Sequence, residues 1–421
     1  MFKEELKNKF YFYLFLALAF TIPIFGKILS PIIIFIGFNW ILEFNFREKW
    51  RRIKENKTSQ RLILFTSLYL IYLIGTLYSE NLSHAEAGAF FALEVKLSIL
   101  LFPIFFATID FTTIRKDFYN RIRYAFILGC VMSTLLMFNF AVYKYFQLKT
   151  TDVFYYTHLA IRQHPSYLAL YFTFAIALMI IWLAENTNQQ SFKTIVIIFL
   201  ILYLQVFIVL LSSKAGIIVL AATYVLFFLF YLLFKRKKVA LTSVIAAIGI
   251  VTLSGTLLFF PKSMGRFDAV TQAVDSDLES EKNSAESSVA RLLVWESAME
   301  VIRDHPFFGV GTGDVKSELV KKYKEKGITA AIEQELNTHN QFLQTWLATG
   351  IPGLVILFLC FLLPFIYAIR QKEITYFLFL AMLVINMLVE SMLERQAGIV
   401  FYGFFNALLF YSVSQYNRTS I

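Results

Sequence analysis

The segment from Phe260 to about Asn340 is the one long polar stretch in a chain otherwise made of apolar runs, and it ends in Thr338-His339-Asn340. A histidine can exchange a proton near neutral pH, and basic side chains can hold anionic groups. His339 and several basic residues therefore lie where a polar segment meets apolar runs, a place where an enzyme could reach a lipid-borne substrate. The rest of the chain is predicted to be the scaffold that positions these residues.

The apolar runs are long enough to cross a bilayer. The chain has 421 residues, of which 58% are hydrophobic, and its mean hydropathy is +0.63. Runs of about 18 or more apolar residues are typical of transmembrane helices. The sequence therefore predicts an all-α polytopic membrane protein with about twelve spans. They lie near Phe10–Phe25, Ile28–Phe44, Leu62–Tyr78, Ala89–Ile109, Tyr124–Phe146, Pro165–Ala184, Thr194–Leu211, Ala215–Phe234, Val239–Phe260, Leu347–Ile369, Ile374–Met392 and Ala397–Val413.

The distribution of basic residues predicts how the spans are oriented. The segments assigned to the cytoplasm carry 22 Lys and Arg, among them the clusters in Arg47–Arg61 and Lys235–Lys238, whereas the short outer segments carry six. An excess of Lys and Arg in cytoplasmic loops is the positive-inside signal. It places both termini in the cytoplasm and the long polar loop outside. The net charge of +10 then reflects topology, which argues against nucleic acid as a partner.

The long loop divides the chain into three parts that form one membrane domain. Helical spacing of apolar residues in Val289–Arg303 predicts an amphipathic helix that packs on the membrane spans. Val315–Lys326 and Ile328–Leu336 are predicted to be two further short helices. The three parts are residues 1–260 with nine spans, residues 261–346 with the loop, and residues 347–421 with three spans.

Two motifs in the loop resemble ligand sites only in part. Gly309-Val310-Gly311-Thr312-Gly313 is glycine-rich like a phosphate loop, but it follows a helix and lacks the Gly-Lys-Ser/Thr ending. Asp275-Ser276-Asp277 has a form that can hold a metal-bound diphosphate, but it lies among other acidic residues, which favours a solvated acidic run. Cys130 and Cys360 fall inside predicted spans. The sequence therefore predicts no metal site and no cofactor.

Four pieces of the chain form a recognisable set. They are Arg162-Gln163-His164-Pro165-Ser166-Tyr167; Leu211-Ser212-Ser213-Lys214-Ala215-Gly216; Arg291-Leu292-Leu293-Val294-Trp295 with His305-Pro306-Phe307-Phe308-Gly309-Val310-Gly311; and Thr338-His339-Asn340-Gln341-Phe342-Leu343-Gln344 with Gly350-Ile351-Pro352-Gly353. These four pieces resemble the O-antigen ligase family in their order along the chain, in their predicted position on the same side of the membrane, and in the twelve predicted spans that carry them. That family shares a domain with O-antigen polymerases and some protein O-oligosaccharyltransferases. The resemblance covers about residues 162–353, and the family usually has arginine where this chain has Lys214.

The resemblance implies transfer of a glycan from an undecaprenyl-diphosphate carrier to an acceptor hydroxyl, that of lipid A-core in a ligase, on the periplasmic face of the inner membrane. Such a reaction needs a base for the hydroxyl and cations for the diphosphate leaving group. It needs no nucleotide, because the sugar–phosphate bond is already activated. The matching positions imply that His339 is the base and that Arg291, Lys214 and Arg162 bind the diphosphate. The implied partners are the carrier-linked glycan, the acceptor and membrane lipids.

Lys96 is a further candidate for binding the carrier diphosphate. It lies about seven residues inside the fourth predicted span, where a charge is costly and indicates function by default. Glu94, two residues away, lies on a different helix face, so the pair is not an i,i+4 bridge. Lys96 is expected either to reach the diphosphate or to snorkel outward.

Alternatives stay open for the residues and for the function. His339 could merely cap the helix that follows it, Arg291 could be an exposed charge, and Lys214 could snorkel to headgroups. His164 and His305 are expected to have structural roles at helix ends. The alternative functions are an O-antigen or exopolysaccharide polymerase, a protein O-oligosaccharyltransferase, and a transporter or flippase without a catalytic step. The transporter is less favoured because the chain shows no matched pair of Gly/Pro-broken spans.

Overall fold

A computed structural model of the chain describes residues 2–54, 58–85, 88–111, 114, 117–161, 163–186, 191–263 and 288–419. The structure is 83% helix, and the described residues include no strand. The predicted all-α class is therefore confirmed. The motif Asp275-Ser276-Asp277 lies outside the described residues.

The chain forms helices wherever long apolar runs occur, and each of the twelve predicted spans overlaps a helix. The α-helices are α1 (Phe2–Thr21), α2 (Leu29–Leu42), α3 (Phe46–Lys54), α4 (Thr58–Thr76), α5 (Ala89–Thr108), α6 (Phe118–Leu148), α7 (Tyr156–Leu159), α8 (Pro165–Glu185), α9 (Ser191–Leu210), α10 (Lys214–Phe234), α11 (Val239–Phe259), α12 (Ser288–Asp304), α13 (Val315–Lys326), α14 (Thr329–Glu333), α15 (Gln341–Arg370), α16 (Ile374–Met387) and α17 (Gln396–Thr419). Short 3₁₀ turns cover Gly26–Ile28, Thr151–Phe154, Arg236–Lys238 and Met392–Glu394.

Several of these helices are long and apolar enough to cross a membrane, so the chain has the character of a multi-pass membrane protein. A bent pair, Gly26–Leu42 with Phe46–Lys54, meets the same criterion when taken together, and Ile374–Met387 and Gln396–Tyr411 are shorter apolar helices. Length and composition therefore establish fewer spans than the twelve predicted. The described residues contain seven helices that pass on their own: Ala89–Thr108, Phe118–Leu148, Pro165–Glu185, Phe192–Leu210, Lys214–Phe234, Arg236–Phe259 and Gln341–Arg370.

Hydrogen bonds and ion pairs between loops define two ends of the helical array. At one end, Lys235 Nζ lies 2.9 Å from Glu185 Oε1, which joins the C-terminal ends of α8 and α10. At the opposite end, Ser213 Oγ donates to Ser166 Oγ at 3.3 Å, which joins their N-terminal ends. Trp295 Nε1 donates to the Thr338 carbonyl at 2.7 Å and ties α12 to the segment before α15. We call these the Lys235 end and the His339 end.

α8 is the helix around which its neighbours pack. It is apolar on all sides, and nearly all of its residues are buried, as expected for a helix in the middle of a bundle. The Phe174 ring lies 5.6 Å from Phe126, 5.2 Å from Phe379 and 5.0 Å from Phe405. Aromatic pairs at such distances pack favourably. Because α8 is held along its whole length, the residues at its N-terminal end are fixed in place.

The glycine-rich turn after α12 is a structural joint. The Val310 N–H donates to the Leu347 carbonyl at 2.8 Å, and the Gly311 N–H donates to the Ala348 carbonyl at 3.1 Å. These backbone donors are thus used by protein carbonyls rather than offered to a phosphate. The turn breaks α15 at Gly350, which has φ +66°; a Cβ there would lie 2.1 Å from the Phe307 carbonyl oxygen. Only glycine fits that approach without rearrangement.

Helices α12 and α13 occupy the loop segments predicted to be helical and pack on α15. The buried residues of α12 include Ala290, Val294, Ala298, Val301 and Ile302. Leu292, an apolar residue within the range predicted to form this amphipathic helix, is 58% exposed. The packed face of α12 therefore follows these buried residues and does not include Leu292.

Candidate functional site

The candidate site is built around the loop that joins α16 to α17. Glu390 on this loop is buried. Its Oε1 lies 3.4 Å from Ser166 Oγ and 4.0 Å from both His164 Nδ1 and Arg291 Nη2. Its Oε2 lies 3.8 Å from His339 Nδ1. We call Glu390, Ser166, His164, Arg291 and His339 the Glu390 cluster. It brings together residues from four distant parts of the sequence at the His339 end.

His339 is held in an uncommon backbone conformation. Its φ is +45°, in the left-handed region that non-glycine residues seldom adopt, and its N–H donates to Asn337 Oδ1 at 2.9 Å. Such strain persists only where the surroundings impose it, and it often marks functional sites. Here Ser391 contacts the residues on both sides of His339. Ser391 Oγ accepts the Asn340 N–H at 3.1 Å and lies 3.2 Å from Thr338 Oγ1.

The imidazole of His339 has one inward and one outward side. Its Nδ1 is buried and has no hydrogen-bond partner among the described residues, while the side chain as a whole is 25% exposed. At 3.8 Å, the contact with Glu390 has the length of an ion pair and exceeds that of a direct hydrogen bond. The Nδ1 side of the ring therefore faces the carboxylate, while part of the side chain remains exposed.

His164 acts as the N-cap of α8, as predicted. Its Nδ1 accepts the Ser166 N–H at 3.4 Å, and Pro165 occupies the first helical position. Both features favour the start of a helix. His164 is also 40% exposed and lies 4.0 Å from Glu390, so it adds to the polar surface of the cluster as well as capping α8.

The turn that carries Lys214 is joined to the cluster by hydrogen bonds. Ser213 caps α10 by accepting the Gly216 N–H at 3.1 Å, and it donates to Ser166 at 3.3 Å. Lys214 is the first residue of α10 and is half-buried. The structure thus brings Arg291, His339 and the backbone of Lys214 to one end of the molecule. Arg162 lies outside the described residues.

Several positive groups surround the carboxylate of Glu390. The helices α8, α10 and α15 begin beside it, capped by His164, Ser213 and Asn340, and a helix N-terminus carries partial positive charge. Burial acts to raise the pKa of Glu390, but His339, His164 and Arg291 outweigh burial, so that the pKa lies below its usual value. Glu390 therefore carries a negative charge at neutral pH.

Lys96 belongs to a second group of polar residues, separate from these contacts. Its Nζ lies 2.6 Å from Glu394 Oε2 and 4.5 Å above the Tyr72 ring, and its side chain is only 1% exposed. Gln341 Nε2 donates to Glu394 Oε1 at 3.1 Å and to Thr345 Oγ1 at 3.2 Å. We call these five residues the Glu394 cluster. Lys96 does not snorkel outward, and a diphosphate would have to displace Glu394 to reach it.

The sequence reasoning missed both carboxylates. Glu390 lies inside the predicted span Ile374–Met392, and Glu394 lies two residues beyond the end of that span. A carboxylate within a span is a functional signal of the same kind as Lys96, so Glu390 could have been noticed. The helix ends at Met387 rather than at Met392, which leaves the remaining residues free to form the loop. The partners of Glu390 come from distant segments and could not be read from spacing.

The fold is that of a helical, multi-pass membrane protein. Residues 195–358 match the family described as O-antigen ligase, which supports assignment of the chain to the O-antigen ligase family and confirms the family predicted from its motifs. His339, Arg291 and Lys214 lie within the matched residues, whereas Glu390, His164 and Ser166 lie outside them.

A relative with no described function extends the comparison. An uncharacterized protein of Haemophilus influenzae (strain ATCC 51907 / DSM 11121 / KW20 / Rd) is 31% identical over 132 residues. These residues make up 30% of this chain and 33% of the relative. The match therefore spans about one third of that protein's length.

Proposed function

We propose that this protein transfers a glycan from an undecaprenyl-diphosphate carrier to an acceptor hydroxyl on the periplasmic face of the inner membrane, as an O-antigen ligase does. One observation carries the proposal. In a chain with an O-antigen ligase domain, His339 and Arg291 converge on Glu390 beside the start of α10. A candidate base and candidate cations thus share one end of the molecule.

The proposed topology has about twelve spans, with both termini in the cytoplasm and the His339 end in the periplasm. It is supported by the overlap of each predicted span with a helix. It is also supported by the basic segment Arg236–Lys238, which lies at the Lys235 end, away from the candidate site. The positive-inside signal then directs the His339 end outward.

In the proposed reaction, His339 accepts the proton of the acceptor hydroxyl. The hydroxyl oxygen forms a bond to the anomeric carbon, and the bond from that carbon to the carrier diphosphate breaks. The carrier leaves as undecaprenyl diphosphate, whose negative charge Arg291, Lys214 and Arg162 stabilise. The proton is then held on His339. The sugar–phosphate bond supplies the driving force, so no nucleotide takes part.

Reconstitution in liposomes tests this function by the product that forms. Purified protein would be given a carrier-linked glycan together with lipid A-core, and products would be separated by electrophoresis and identified by mass spectrometry. Glycan joined to lipid A-core is the expected result. Growth of the glycan on its own carrier would identify a polymerase instead. Absence of any covalent product with all tested acceptors would contradict an enzymatic role and favour a transporter.

A further inference from the structure

We propose that Glu390 is a positioning residue for His339: its carboxylate accepts the Nδ1 proton of the imidazole, so that Nε2 is left as the base. This inference rests on the proposed function of His339. It assigns a role to a residue from outside the part of the chain that matches the O-antigen ligase family. A carboxylate that fixes the tautomer and orientation of a histidine is a known way to prepare a general base.

The two oxygens of Glu390 have different neighbours. Oε1 accepts a hydrogen bond from Ser166 Oγ at 3.4 Å and lies 4.0 Å from Arg291 Nη2. Oε2 lies 3.8 Å from His339 Nδ1. One oxygen is therefore anchored on α8 and α12, while the other is presented to the imidazole.

Of the two histidines near Glu390, only one has a suitable nitrogen. His164 uses its Nδ1 as an acceptor for the Ser166 N–H in capping α8. In a neutral imidazole only one nitrogen carries a proton, so the His164 proton lies on the other nitrogen. His339 Nδ1 is buried and has no hydrogen-bond partner among the described residues. The structure thus offers Glu390 a donor in His339.

The backbone around His339 fixes the direction of its ring. Ser391 follows Glu390 directly in sequence and contacts both neighbours of His339, Thr338 and Asn340. The loop that carries the carboxylate therefore also holds the histidine. Closing the 3.8 Å separation to a hydrogen bond requires only a small side-chain movement, and catalytic hydrogen bonds often tighten when substrate binds.

The same carboxylate connects the histidine to the turn of Lys214. Ser213 donates to Ser166, and Ser166 donates to Glu390, with oxygen–oxygen distances of 3.3 and 3.4 Å. A diphosphate held by that turn would thus be fixed relative to the base through two side-chain hydrogen bonds. We therefore expect Glu390 to act on the rate of transfer rather than on carrier affinity.

Steady-state kinetics of the Glu390→Gln variant in liposomes would test this role. We expect kcat to fall by about 10²–10⁴-fold, the contribution of an oriented base, with KM for the carrier-linked glycan within about threefold of wild type. Glu390→Asp should recover at least part of the lost rate. The control is Glu335→Gln, which removes an exposed carboxylate close to His339 in sequence that pairs instead with Lys316. A near wild-type kcat for Glu390→Gln, or a change in KM alone, would overturn the proposal.

Nitrogen-15 NMR of wild-type protein labelled at its five histidines tests the proposal independently of folding in the variant and of transfer activity. The His339 signal is assigned by its loss in His339→Gln, above the pH range in which histidine titrates. We expect the neutral ring to carry its proton on Nδ1. A proton on Nε2 would overturn the pairing with Glu390. If no acceptor supports transfer, the proposed function fails while this measurement still decides the pairing.

Discussion

Glu390 and Glu394 lie four residues apart on the loop after α16, yet their surroundings differ. Glu394 forms a direct ion pair of 2.6 Å with a lysine that is 1% exposed. Glu390 faces His339 and Arg291 at 3.8 and 4.0 Å, and these side chains are 25% and 37% exposed. The first carboxylate is committed to another protein group, whereas the partners of the second can still reach a substrate.

The comparison of Glu390 with Glu394 distinguishes charged residues that stabilise the fold from charged residues that are available for a reaction. A buried ion pair is satisfied by its own members, and removing one member leaves an uncompensated charge. A loosely spaced cluster whose cationic members are partly exposed can instead exchange a proton or bind an anion as substrate arrives. On this basis we expect Lys96 to act as a structural residue of the Glu394 cluster, and we propose His339 as the chemical centre of the Glu390 cluster.

The largest effect is expected for the centre of the Glu390 cluster. His339→Ala should lower the rate of glycan transfer by about 10²–10⁴-fold, because a general base contributes that much. Transfer in liposomes would be measured beside the unfolding temperature, which should change little. His305→Ala is the matched control, since His305 is exposed and follows the last residue of α12. Transfer by His339→Ala at a near wild-type rate would remove His339 from the proposed reaction; a capping role is not the explanation, because Asn340 caps α15.

The next effect concerns the Glu394 cluster and should appear in stability. Lys96→Met should destabilise the protein by about 3–5 kcal/mol, because Glu394 loses its ion-pair partner in a poorly solvated position. The double variant Lys96→Met, Glu394→Gln should recover most of that loss, since neither charge is left unpaired. Thermal unfolding in detergent reports both values.

The transfer activity of the double variant Lys96→Met, Glu394→Gln is a second test of the difference between the Glu394 cluster and the Glu390 cluster. If Lys96 has only a structural role, the double variant Lys96→Met, Glu394→Gln, whose stability is largely recovered, should retain glycan transfer. Complete loss of transfer with normal stability would show that Lys96 acts on substrate, as its position in a predicted span first indicated.

A smaller effect is expected for the cations. Arg291→Ala should raise KM for the carrier-linked glycan by about 10–100-fold, consistent with hydrogen bonds to a charged group worth about 1.5–3 kcal/mol. Lys214→Arg should retain activity, because it keeps the charge and adds a bidentate donor, whereas Lys214→Ala should weaken binding. Initial rates at varied carrier concentration check this. Unchanged KM in both alanine variants would remove these residues from the diphosphate site.

The smallest effect is expected from chelation. EDTA should leave transfer unchanged, because the proposed site stabilises the diphosphate with side-chain cations. Rates would be compared before chelation, after it, and after addition of Mg²⁺ or Mn²⁺. Activity that vanishes with EDTA and returns with a divalent ion would assign a metal role, and Asp275 and Asp277 would then be the first residues to test.

The sequence was sufficient for features that depend on local patterns. Apolar runs placed the helices because a membrane-like helix must be apolar over most of its length. The loop helix at Val315–Lys326 was predicted with the observed bounds. The apolar spacing of α12 was less informative, since the chain uses alanine and valine for close packing and exposes Leu292.

The sequence was insufficient to predict contacts between residues that are far apart in the chain. Lys96 was recognised as unusual, but its partner Glu394 is nearly three hundred positions away, and the packing of α5 against the Met392–Glu394 turn and α17 joins them. Likewise, His339 was a candidate on its motif, but the carboxylate opposite its Nδ1 comes from another segment. Pairings of this kind depend on tertiary packing and leave no spacing that a single sequence reveals.

His339 and Glu390 are proposed to act as one catalytic unit, and a double-mutant cycle in kcat tests this most directly. Residues that act as a unit show strongly non-additive losses. Transfer rates would be measured for wild type, His339→Ala, Glu390→Gln and the double variant in the same liposomes. The account predicts that the double variant is about as slow as His339→Ala alone. Losses that multiply, so that the double variant is slower by the product of the two single effects, would contradict it.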